Sequence, residues 1–112
     1  MKKKHKRGKT IFPQPEGECF LCVRLDKFPR HHKHLEPHHI YYGCNHSQSD
    51  RYGFLINLCA RHHRGDETGN DEAVHAEDKN DYADYIRRWA QTEYEKTHTR
   101  AEFMEIFGRS WL

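Results

Sequence analysis

Apolar and aromatic positions near the C-terminus recur at three- and four-residue steps: Tyr82, Tyr85, Ile86, Trp89, Ala90 and Tyr94. An α-helix turns about every 3.6 residues, so this spacing gathers them on one helical face. Thr99-Arg-Ala-Glu102 has the form of a capping box, in which a hydroxyl and a carboxylate satisfy backbone amides that a helix start leaves without partners. A second, shorter helix is therefore expected from there, with Phe103, Ile106 and Phe107 as its apolar face and Gly108 as its stop. Stripes of this kind are buried far more often than they stack on bases, so they read as core and packing surface.

The middle of the chain has a different rhythm. Ile40-Tyr41-Tyr42 and the run from Tyr52 to Leu58 are short and β-prone, and the intervening Gly43-Cys44-Asn45-His46-Ser47 is rich in turn formers. The expectation is strand, loop and strand, then a short helix beginning near Cys59 and broken by Gly65 or Gly69. Three zones follow: a flexible basic arm over 1–15, a core over 16–78 with every cysteine and nearly every histidine, and a helical extension over 79–112 packing on that core. No internal repeat is present. The fold class is α+β.

Composition sharpens this picture. A chain of 112 residues with 35% hydrophobic and 32% charged residues has little apolar material for a core. Small domains bury a smaller fraction of their surface and commonly need a staple. Four cysteines and eleven histidines suggest a metal. The basic start at Lys2-Lys3-Lys4 runs into Gly8, Lys9 and Pro13 rather than an apolar stretch, so neither a secretory signal nor a membrane span is expected. In a reducing compartment paired cysteines read as ligands before disulfides. The net charge of +2 hides an asymmetry. Lys2, Lys3, Lys4, Lys6, Arg7 and Lys9 form a basic arm suited to phosphate backbones, whereas Asp66 to Asp84 holds eight acidic residues against Lys79 alone.

The cysteines are spaced as ligands. Cys19-x-x-Cys22 and Cys59-x-x-His62 are two half-sites, each a turn whose side chains can converge on one tetrahedral ion. Together they make a closed, structural zinc set. Replacing His62 by Cys44 is chemically feasible but abandons the second paired turn, so Cys44 is expected to be an unliganded loop residue. His31, His32 and His34 could also reach a metal, but they lie among Arg30 and Lys33, so a phosphate-facing or merely exposed loop is expected.

A second group is His38-His39-Ile40 together with His63. With Cys19-x-x-Cys22, Leu35-Glu36-Pro37-His38-His39-Ile40 and Leu58-Cys59-Ala60-Arg61-His62-His63 in view, the chain resembles the HNH, or ββα-metal, nuclease family. More narrowly it is similar to small HNH-like proteins common in bacteriophage genomes, on the strength of Val74-His75 and the ending Glu102-Phe-Met-Glu-Ile-Phe-Gly108-Arg-Ser-Trp. The resemblance covers roughly 16–112. It implies a zinc-stapled ββα-metal domain with C-terminal helices and a disordered basic N-terminal arm.

The resemblance also implies roles: His38 and His63 as ligands of a catalytic divalent ion (Mg2+, Mn2+, Ni2+ or Zn2+), His75 as a further ligand, and His39 as general base. Elementary geometry agrees. Neighbouring strand residues point to opposite sides, and neighbouring helix residues diverge by about 100°. His38 can thus face a metal while His39 faces water, and His62 can serve the zinc while His63 turns away. The implied reaction is hydrolysis of DNA phosphodiester bonds in the cytoplasm of a bacterial host, with Arg51, Arg61 or Arg64 pairing with a flanking phosphate. Contacts to DNA are expected mainly at the backbone.

One position departs from the family. Its second-strand asparagine, which ties the loop to the histidine strand, falls near Phe54 here, and Asn45 in the loop is the candidate substitute. Two other functions compete: a non-catalytic zinc protein that binds DNA or assists packaging or recombination, and a protein-interaction module using the aromatic helices.

Overall fold

The computed structural model describes residues 10–25, 30–65, 73–75 and 81–112. The basic residues Lys2, Lys3, Lys4, Lys6, Arg7 and Lys9, and most of the acidic run, lie outside the described residues. In chain order the elements are α1 (Phe20–Leu25), β1 (Glu36–His39), a 3-10 turn (Gly43–Asn45), α2 (His46–Tyr52), β2 (Leu55–Leu58), α3 (Ala60–His63), α4 (Asp81–Tyr94) and α5 (Arg100–Phe107). The strands pair antiparallel, with Glu36 opposite Leu58 and His38 opposite Ile56. The result is a small α+β unit: one two-stranded sheet surrounded by helices.

Three local expectations are corrected. The first strand covers Glu36–His39 rather than Ile40–Tyr42. Tyr41 leaves the sheet because its ring enters an aromatic core and its hydroxyl donates to the Arg87 carbonyl at 2.7 Å. Between the strands lies a helix, not merely a loop. α2 reads His-Ser-Gln-Ser-Asp-Arg-Tyr, buries only Ser49, and therefore has no apolar stripe to reveal it. Gly53 ends it in the left-handed conformation (φ 78°), which glycine adopts without a Cβ penalty. Finally, the stretch from Thr10 to Pro15, expected within a flexible arm, packs along β2. Ile11 N–H donates to the Gly53 carbonyl at 2.9 Å, Gln14 Oε1 accepts the Asn57 N–H at 2.7 Å, and Phe12 is buried.

The C-terminal helices form where the periodicity places them. α4 buries Ala83, Ile86, Ala90 and Gln91, with Tyr82, Trp89 and Tyr94 packed at the edge and Tyr85 exposed. α5 starts at a complete capping box: Thr99 accepts from the Glu102 N–H, and Glu102 accepts from the Thr99 N–H. Gly108 ends it at φ 79°. Phe103 and Phe107 bring Tyr41, Phe54 and Trp111 into one aromatic cluster with edge and tilted contacts. Gln91 ties the tail down, accepting the Trp111 N–H at 2.7 Å and donating to Ser110 at 2.9 Å. Among the described residues no helix is long and apolar enough to cross a membrane.

Candidate metal centre

Two helix starts meet end to end beside the sheet. Cys19 immediately precedes α1 and Cys22 lies in its first turn. Cys59 is the N-cap of α3, with His62 in the turn it opens. All four are buried and their donor atoms lie within 4.8 Å of one another. The His62 Nδ1 is 3.6 Å from Cys19 Sγ and 3.4 Å from the sulfurs of Cys22 and Cys59, and the Cys22 and Cys59 sulfurs are 3.8 Å apart.

These separations discriminate between chemistries. A disulfide needs sulfurs about 2.05 Å apart, so the cysteines are free thiols. A tetrahedral ion with Zn–S of about 2.3 Å and Zn–N of about 2.0 Å has S···S edges of about 3.8 Å and S···N edges of about 3.5 Å. The four separations above match those edges, and the cluster can hold a metal ion such as zinc. Burial pushes the Cys19 and Cys22 thiols up from their ordinary values, and for Cys22 the neighbouring sulfurs add to it. A cation at the centre would reverse that preference and displace the protons. Cys44 is exposed and outside the cluster.

Of the three loop histidines, for which reach to a metal is the less expected alternative, His32 does come up to the cluster, its Nε2 3.4 Å from Cys22 Sγ. Its backbone N–H donates to the Gly17 carbonyl at 2.8 Å. Gly17 has φ 78°, and a Cβ there would fall 2.1 Å from the His31 ring. The positive φ favours glycine here, and any other residue would also have to push the exposed His31 ring aside.

The second group forms on the other side of α3. His38, His63 and His75 present ring nitrogens within 4.8 Å of one another, with ring centroids 5.3, 5.1 and 4.8 Å apart pairwise. Val74 and His75 arrive by donating their N–H groups to the His62 and His63 carbonyls at 2.8 and 3.2 Å, satisfying acceptors that the short helix leaves at its end. His38 is 1% exposed, whereas His75 faces solvent, so the group is walled on one side and open on the other. Burial first, then His75 and His63, holds His38 well below the ordinary imidazole value. Burial likewise lowers His75, followed by His63 and Arg87. Neutral imidazoles carry the lone pair a cation requires. One observation singles this group out: His38 Nδ1 is buried without a hydrogen-bond partner. Such an orphan costs about 1–3 kcal/mol, and a bound cation removes the deficit. The three residues could hold a metal ion.

His39 lies on the opposite side of β1. Its Nε2 is 3.3 Å from Asp50 Oδ1, and its ring stacks on His46 at 3.7 Å between centroids. Both partners belong to α2, the helix that sequence periodicity missed. Phe54, at the family's asparagine position, is fully buried in the aromatic core. The tie between the histidine strand and the following segment is made by Ser49. Its hydroxyl accepts the Tyr41 N–H at 3.0 Å and donates to the Tyr41 carbonyl at 2.6 Å.

The cations are divided. Arg64 donates through Nε to Glu36 at 2.9 Å and pairs with it again through its terminal nitrogen. Arg51 turns over the Tyr52 ring. Arg61 is half-buried on α3. Arg87 went unnoticed in the sequence, yet its guanidinium lies over Tyr42 at 4.4 Å, and the Tyr42 ring centroid is 4.8 Å from that of His75. Its only signal was membership of α4 on the turn beside Ile86. No protein-family model, curated protein or solved structure matches the chain.

Proposed function

We propose that this protein is a metal-dependent endonuclease of the HNH kind, hydrolysing DNA phosphodiester bonds, with Cys19, Cys22, Cys59 and His62 holding a structural zinc. The observation that carries the reading is the buried, partnerless Nδ1 of His38, a residue that clusters with His63 and His75, next in sequence to a His39 that pairs elsewhere, with Asp50. A divalent ion held by His38, His63 and His75 would supply charge stabilisation to the scissile phosphate. With three protein ligands such an ion would keep room for water or substrate, and His75 is the exposed member of the group, whereas the four residues of the Cys3His set are all buried.

The chain's own residues divide the remaining work. Asp50 accepts the His39 Nε2–H, which makes Nδ1 the basic nitrogen of that ring. A neutral imidazole so held can take a proton from an attacking water near neutral pH. Arg61, Arg64 and Arg87 stand on the elements around the histidines and are the candidates to meet phosphate oxygens; Arg64 pairs with Glu36 and Arg87 donates to the Ile40 carbonyl. The exposed DNA contacts would be mainly to phosphates and weaken with salt.

The test is direct. Zinc-loaded protein is incubated with supercoiled plasmid and Mg2+, Mn2+ or Ni2+ beside His39→Ala. Wild-type nicking is expected, with a loss of about 100-fold or more in the variant. A plasmid left intact by both overturns the enzymatic reading. Phe54 in place of the family's asparagine favours a second reading, a non-catalytic zinc protein that binds DNA. That protein would retard the plasmid in a gel without cutting it.

A further inference from the structure

We propose that Glu36 is the positioning residue of the three-histidine centre: it holds the Nδ1 proton of His63 and so turns the Nε2 lone pair toward the ion. This rests on the metal-centre reading above. Glu36 Oε1 lies 2.8 Å from His63 Nδ1, a short contact. A carboxylate only accepts, so the shared hydrogen belongs to the imidazole and the tautomer is set. With Nδ1 committed, Nε2 is the ligand nitrogen of His63.

Three features of the fold hold this carboxylate in place. Glu36 and His38 are two residues apart on β1, so the strand presents both on one side. Glu36 also stands opposite Leu58 in the sheet, next to Cys59, the N-cap of the helix that carries His63. Arg64, one residue beyond His63, engages both carboxylate oxygens and keeps them turned toward α3. The carboxylate does not belong to the group whose donor atoms converge, so it acts through His63 rather than on the ion. A carboxylate behind a metal-binding imidazole raises the basicity of the ligand nitrogen and limits ring rotation, and removing such a partner weakens metal binding by about 10–100-fold.

The experiment uses the full zinc-loaded chain and Ni2+ alone as the probe, followed by calorimetry, with His38→Ala marking which ion is the relevant one. E36A is expected to bind that ion about 10–100-fold more weakly than wild type. E36Q keeps an amide oxygen that accepts the same hydrogen bond, and should lie nearer to wild type. Long-range 1H–15N spectra of wild type should show His63 protonated on Nδ1, a readout that needs neither activity nor a variant. Equal Ni2+ affinity in wild type and E36A, E36Q as weak as E36A, or His63 protonated on Nε2 overturns the proposal. A wild type with no His38-dependent Ni2+ site overturns the three-histidine reading too, so the two failures are distinguishable.

Discussion

Removing the ion from the Cys3His cluster should unfold the domain. The four donors come from two segments far apart in sequence, Cys19 and Cys22 at the start of α1 and Cys59 and His62 at the turn that opens α3, and they join the N-terminal part of the chain to the sheet. Structural zinc in small domains contributes about 10–16 kcal/mol of apparent binding free energy at neutral pH. A domain of this size has a net stability of about 5–15 kcal/mol. The loss is therefore comparable to everything the fold has in reserve, and it leaves three buried thiols and an imidazole facing one another. The assay combines circular dichroism melting with cysteine alkylation read by mass spectrometry. Zinc-loaded protein should melt cooperatively and label only at Cys44, the exposed cysteine. After chelation the transition should vanish or fall by tens of degrees, since about 1 kcal/mol corresponds to roughly 4–8 °C in a domain this small, and all four cysteines should label. Cys19→Ala should resemble the chelated protein. An unchanged melt and unchanged labelling after the metal is stripped would refute the reasoning, because burial alone would then account for the protected thiols.

Two further predictions concern the scaffold. Ser49→Ala removes both hydrogen bonds to the Tyr41 backbone and leaves two buried polar groups unsatisfied, a cost of about 2–4 kcal/mol readable by urea unfolding of zinc-saturated protein. The same change should broaden or shift the His39 resonances, because α2 also carries Asp50 and His46. At the α5 start, Thr99→Ala should cost about 1 kcal/mol and Thr99→Ser should restore most of it. The Thr99 backbone N–H, then the Thr99 side chain, holds the Glu102 carboxyl below its ordinary value. Since the folded value is the lower one, this stabilisation is present above the unfolded carboxyl's titration and is lost as pH falls through the folded one. An NMR titration that finds Glu102 at or above an ordinary glutamate would refute it.

How much was legible depended on the range of the interaction. The ligand pairs Cys19-x-x-Cys22 and Cys59-x-x-His62 are each one turn long, so their geometry follows from spacing, and the structure brings the two turns together. The divergence of His62 and His63 on adjacent helix positions is equally local. The same holds for α4, whose stripe has a helical period, and for the capping box and Gly108 that bound α5. In each case neighbours within four residues decide the outcome.

What the sequence by itself determined, then, is the Cys3His set, the helical C-terminal extension and the turn that places His62 and His63 side by side. Tertiary structure decided the rest. It moved the first strand to Glu36–His39, because Tyr41 is pulled away by Ser49, Arg87 and the aromatic core. It made α2 out of a polar segment whose single buried side chain, Ser49, gives no periodic signal. It brought His32 to Cys22 beside Gly17, whose positive φ favours glycine. It also seated Glu36 behind His63 and Asp50 behind His39, carboxylates that lie 27 and 11 residues from their partners. Such pairings depend on where separate elements pack, and a pattern read over one turn of chain carries no information about that.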